Sequence, residues 1–169
     1  MLLKNDTTII RVLKTLDKRS LVIDCIKRTI PQWVDTTSLS VYTECSEADL
    51  YAQTGMIYER NLTPDEQRIA QERYTMIAPI LPHIGNEHKR SQMIDLLSQS
   101  HSKQTIRKYL CLYLAFQNVT ALAPPAKAEP KDLTQDEKNF RWALNKFYYT
   151  QQKLSLTTAY TKKLEIKTL

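Results

Sequence analysis

Along the first fifty residues, apolar and β-branched positions fall in short runs separated by polar corners. Thr8-Ile9-Ile10-Arg11-Val12-Leu13 and Leu21-Val22-Ile23-Asp24-Cys25 flank the polar Asp17-Lys18-Arg19-Ser20, which predicts a hairpin. A third strand is predicted near Ser38 to Thr43. Trp33, between them, is expected to be the large apolar plug of a small β-module. Because the chain has two glycines, few tight primed turns are available and longer connections are expected here.

From about Ser46 the period becomes helical. Ser46 to Tyr51 opens a short exit helix. Thr63-Pro64-Asp65-Glu66 then combines a threonine N-cap, a proline at the first helical position and a glutamate three residues after the cap. Ile69, Arg73, Ile77 and Ile80 continue at three-to-four spacing until Pro79 and Pro82 close the helix near Ala78. The next helix is predicted from Glu87 to Gln99, with Met93, Ile94, Leu96 and Leu97 buried. After a polar corner at Ser100 and His101, Ser102 caps a helix whose inward stripe is Ile106, Leu110, Tyr113 and Leu114; Lys103, Gln104, Arg107, Lys108 and Cys111 are left outside.

Residues 117–132 hold three prolines and four alanines without an amphipathic period and read as an extended linker. Thr134-Gln135-Asp136-Glu137 repeats the capping box and opens a helix with Phe140, Leu144 and Phe147 on its apolar side. Ser155 starts a final short helix carrying Tyr160, Leu164 and Ile166. An ending so short and basic hints at a truncated chain. The expected fold is α+β, mostly α, with a small N-terminal β-module followed by helix-turn-helix-type units joined by a Pro/Ala-rich linker. The expected boundaries are 1–62 for the β-module with its exit helix, 63–116 for a helix-turn-helix domain, 117–132 for the linker and 133–169 for the start of a second helical unit.

Composition narrows the function classes. Hydrophobic residues at 42% and charged residues at 25% match a globular protein, no apolar run is long enough to span a bilayer, and the start is too polar for a signal peptide. A cytoplasmic location is expected, with no membrane partner. Cys25, Cys45 and Cys111 are odd in number and lack CxxC spacing, and His83, His88 and His101 are scattered, so neither disulfides, nor a metal site, nor any cofactor is expected. Basicity rises along the chain: Lys/Arg against Asp/Glu is eight to eight over 1–62, eight to six over 63–130 and eight to four over 131–169. Such an excess attracts polyanions by long-range electrostatics.

The helices after Thr63, the last two joined by a tight corner, follow the plan of a helix-turn-helix, whose final helix offers its first turns to base edges in the major groove. Lys103, Gln104, Arg107 and Lys108 are the base-reading candidates. Arg107 comes first, because a guanidinium binds a guanine edge bidentately, whereas a lysine is a point charge that serves phosphate as readily. Lys89 and Arg90 begin the preceding helix where it would cross the backbone. With Ser102, Thr105, Lys153, Lys162 and Lys163 they are the phosphate candidates. No catalytic residue is nominated: Asp65, Glu66, Asp136 and Glu137 stand in helix first turns, where capping and the helix dipole account for them.

The segment from Arg73 to Leu114, the proline-bearing linker after it, and Leu133 to Ile166 resemble, in the same order and with similar gaps, the N-terminal DNA-binding region of TnsB-type transposases, relatives of the Mu transposase. Leu21 to Val34 is similar to the β-rich start of those proteins. The resemblance implies two helix-turn-helix-like units that bind double-stranded repeats at the ends of a bacterial mobile element. It also implies a longer parent with a metal-dependent DDE catalytic domain, an ATPase regulator and an endonuclease partner. This chain lacks the catalytic domain and is expected not to cut or join DNA. A helix-turn-helix transcriptional regulator, or an adaptor whose basic helices meet an acidic protein, are the alternatives.

Overall fold

The structure, a computed structural model, describes residues 1–57, 60–125 and 134–148. It comprises two compact units, Met1–Pro125 and Ala126–Leu169, and the architecture is α+β, mostly α.

In the first unit five strands form an antiparallel sheet: β1 (Leu2–Lys4), β2 (Ile9–Leu16), β3 (Arg19–Asp24), β4 (Gln32–Asp35) and β5 (Thr43–Glu44), in the order β4-β3-β2-β1-β5. The hairpin is β2–β3, turned at Asp17, whose φ of 52° is left-handed. The strand predicted near Ser38 to Thr43 is instead a 3-10 turn over Thr36–Val41. Pairing falls to Gln32–Asp35 before it and Thr43–Glu44 after it. The reason is local: the Asp35 carboxylate accepts from the Thr37 backbone N–H and hydroxyl, which ends the strand there. Those two bonds hold the Asp35 carboxyl below the usual carboxylate range.

Helix α1 (Glu47–Thr54) carries a Ser46/Asp49 capping box and ends on Gly55 at φ 67°, a conformation that favours glycine. Helix α2 (Pro64–Ile77) starts on the Thr63/Glu66 box, and Pro79 and Pro82 lie in the 3-10 turn Ala78–His83 that follows it. Helix α3 (Glu87–Leu97) and helix α4 (Lys103–Phe116) complete the unit. Leu96, expected inside, is 58% exposed; Ile94 alone on α3's apolar side is fully buried, with Met93 and Leu97 packed beside it.

The sheet and the helices share one core. Leu2, Ile9, Ile23 and Cys25 from the sheet join Leu50, Ile77, Ile80, Ile94, Ile106 and Leu110 in a single buried cluster, so the boundary expected at residue 62 is not a break in packing. Two polar tethers fix the arrangement. The buried Arg11 on β2 donates from Nε to the Ala115 carbonyl at 2.6 Å and from Nη2 to Glu47 at 2.7 Å. Trp33 is not a plug inside the β-module. It is half-buried on β4 and donates its indole N–H to the Gly85 carbonyl at 2.8 Å, tying the sheet edge to the entry of α3. Trp33→Phe removes that bond and part of the ring. It is expected to cost about 1–2 kcal/mol, read as a lower urea midpoint at unchanged slope; an unshifted midpoint would show the tether to be idle.

The first part of the region expected to be an extended linker is folded. Val119–Leu122 forms a 3-10 turn that buries Ala121 and Leu122, while Arg73 donates to the Leu122 carbonyl and Arg60 to that of Pro124. Two apolar residues are too few to show a period, which is why pattern alone missed the turn.

In the second unit α5 (Gln135–Ala143) begins on a Thr134/Glu137 capping box and runs into a π-helical turn, Leu144–Tyr148. Phe140 and Trp142 are partly exposed, and Lys146 Nζ lies 4.6 Å from the Trp142 ring centroid. The final helix expected after Ser155 lies outside the described residues, as do Lys153, Lys162 and Lys163.

Candidate nucleic-acid interface

Helix α4 is anchored at one end and open at the other. The last four carbonyls of a helix have no partner within it, and here three of them are satisfied from outside. The Gln117 N–H donates to Tyr113, the Gln117 side-chain amide to Leu114, and Arg11 Nε to Ala115. Arg11 thereby places a cation at the negative end of the helix dipole, and the Arg28 guanidinium lies 5.6 Å from the Phe116 ring centroid. From Leu110 onward almost every α4 residue is buried, whereas in the first two turns only Ile106 is. Fourteen residues make a helix about 21 Å long; its far end meets the sheet, while its first two turns bury Ile106 in the shared core and leave their opposite side in solvent.

That end carries the expected side chains. Gln104, Arg107 and Lys108 are exposed. Lys103 is exposed too, but its Nζ meets Asp95 on α3 at 2.6 Å. Both partners are about half exposed, so the pair contributes under about 1 kcal/mol and a phosphate can displace it. Ser102 accepts the Thr105 N–H at 3.1 Å and its hydroxyl meets that of Thr105 at 2.8 Å. These two hydroxyls serve the helix start. Thr105 also faces α2, alongside Arg73 and Tyr109.

On α3, Lys89 is exposed in the first turn, where its backbone N–H caps onto Asn86. Arg90 is not a surface cation: it is 8% exposed and donates to the Ile84 carbonyl at 2.8 Å, bracing the α3 entry. Burial pulls its pKa below the usual arginine value, with Glu87 opposing that shift. Cys111, left outside the inward stripe by spacing but read from its place at the stripe's border as small filler, is buried, and burial pushes its thiol up to about 11. It is a protonated packing group, as is Cys25, pushed up to about 12 by burial.

Two cations that sequence pattern did not single out belong to this surface. Lys27, Arg28, Thr29 and Ile30, in the β3–β4 connection, line a cleft of about 460 Å³ with Gln104, Arg107, Lys108, Cys111 and Leu112 of α4. The only sequence signal was a Lys-Arg pair directly after a strand end, in a region with no net charge. Among the described residues no cluster of three potential metal ligands occurs, and no helix is long and apolar enough to cross a membrane.

Residues 134–168 match a family model, the TnsB transposase helix-turn-helix domain. No curated protein matches the chain. The match begins on the N-cap of α5, and its first fifteen residues are described. The matched region lies in the second helical unit and bears out the resemblance of Leu133 to Ile166, while the described base-reading candidates lie on α4 of the first unit.

Proposed function

We propose, for a chain carrying a segment of TnsB transposase helix-turn-helix type, that it binds double-stranded DNA sequence-specifically at the end repeats of a mobile element. It would do so without cutting or joining strands itself. The observation that carries this reading is the match over residues 134–168. The α3–α4 pair supports it: a capped helix with its far end locked and its first two turns offering Gln104, Arg107 and Lys108 to solvent has the form of a helix that enters a major groove. In this scheme Lys89 and Lys103 hold phosphates, Arg107 reads a guanine edge, and the second unit binds an adjacent stretch of the same duplex. An ATPase regulator and an endonuclease remain partners implied by the sequence resemblance, to be met through a longer protein.

Arg107→Ala is expected to weaken binding to an end-repeat duplex by about 5- to 150-fold, the cost of one bidentate base contact, with a smaller loss on random duplex. Lys89→Ala is expected to weaken both duplexes alike and to reduce the salt slope by about 1. Fluorescence anisotropy across a salt series measures both. Equal losses on the two duplexes for Arg107→Ala would remove it from base reading, and a wild-type chain that binds neither duplex would end the proposal.

A further inference from the structure

Among the described residues, the cleft between the β3–β4 connection and α4 is lined by four cations, Lys27, Arg28, Arg107 and Lys108, and by no carboxylate. Two come from the sheet and two from the helix. Its remaining lining includes Ile30, Cys111 and Leu112, so charge rims an apolar floor. A sugar-phosphate strand has matching chemistry, with anionic oxygens along its edge and deoxyribose carbons between them.

The sheet wall is built and held. The Asp24 carboxylate accepts the backbone N–H groups of Ile26 and Lys27 at 2.9 and 2.8 Å, and the Arg28 N–H closes the turn on the Asp24 carbonyl at 2.8 Å. Arg28 sits at φ 55°, a left-handed conformation that a non-glycine residue adopts only under strain. Its guanidinium is steadied over the Phe116 ring. A turn that carries this strain presents two adjacent exposed cations alongside α4, in one cleft with Arg107 and Lys108.

We infer that the β3–β4 turn is a second wall of the DNA interface: Lys27 and Arg28 hold the sugar-phosphate strand that borders the groove entered by α4. This rests on the duplex-binding reading above. The sheet then does two jobs, orienting α4 through Arg11 and gripping the backbone beside it.

The test is a salt series with the full chain on an end-repeat duplex and on a random duplex of equal length. Lys27→Gln/Arg28→Gln is expected to lower the salt slope by about 2 and to weaken both duplexes by the same factor, one to two orders of magnitude near 0.1 M salt. Because Arg28 also packs on Phe116, Lys27→Gln alone is the second variant; its expected slope change is about 1, at unchanged circular dichroism and melting. Wild-type binding with slopes unaltered by both variants overturns the inference and leaves the duplex reading standing. A wild-type chain that binds neither duplex brings down both. Loss confined to the end-repeat duplex, at constant slope, refutes the phosphate role. Capture of a polyglutamate peptide that needs Lys27 and Arg28, beside duplex binding that does not, would assign the cleft to an acidic protein instead.

Discussion

Arg11→Ala should remove about 3 kcal/mol of folding stability, a large share of the roughly 5–15 kcal/mol that holds a domain together. The side chain is 9% exposed and satisfies two groups at once, the Ala115 carbonyl and the Glu47 carboxylate. Alanine removes the arginine from both, leaving the Ala115 carbonyl only the weak Cys25 thiol donor at 3.8 Å, and opens a void between β2, α1 and the end of α4. Glu47 keeps a side chain 38% accessible to water, so its loss is cushioned and the cost falls at the low end of that for broken buried pairs. Arg11→Lys is expected to fall between, since an ammonium retains the charge at the helix terminus but cannot span both acceptors. Urea denaturation gives the comparison directly. A loss below about 1 kcal/mol for alanine would mean that apolar contacts alone dock the sheet. The same variant should weaken duplex binding out of proportion to any surface charge, because α4 loses the fixture that aims its opening turns.

A second large effect is expected on severing the chain between Pro125 and Thr134. Under the proposed function, the two units on one polypeptide act with an effective local concentration near the millimolar range, so separating them is expected to cost roughly 10²–10⁴ in affinity for a duplex that carries a complete end repeat. On a random duplex too short for both units the loss should be small. The unit Met1–Pro125 has its own buried cluster, so its unfolding midpoint should not move. Electrophoretic mobility shift with intact and cleaved protein, alongside the melting of the first unit, reads all three quantities. Unchanged affinity after cleavage would show that one unit does all of the binding.

Much of the helical half was legible because its signals are short and local. Thr63 with Glu66, Ser102, and Thr134 with Glu137 each cap the helix that their spacing predicts. The β2–β3 hairpin follows equally from two apolar runs across a polar corner. Features decided by how the chain folds back on itself were hidden. Arg11 looks like a strand's solvent-facing cation until α4 supplies a carbonyl, and Arg90 resembles any helix first-turn charge until the backbone at Ile84 folds over it. Leu96 fits an inward stripe by spacing, yet the stripe that packs is centred on Ile94. At the candidate interface, Gln104, Arg107 and Lys108 were visible because one helix carries them. Lys27 and Arg28 were not, because their relevance depends on where the sheet meets that helix.

The indole of Trp33 on the sheet's edge strand has one counterpart in the chain, Trp142, and the two belong to different units. One is half-buried and bonded to Gly85, the other 41% exposed with an ammonium near its ring. Each body thus holds a single tryptophan, so that single-tryptophan variants, excited beyond the absorption of the tyrosines, can follow the melting of either one and its response to added duplex by emission wavelength, without any attached dye.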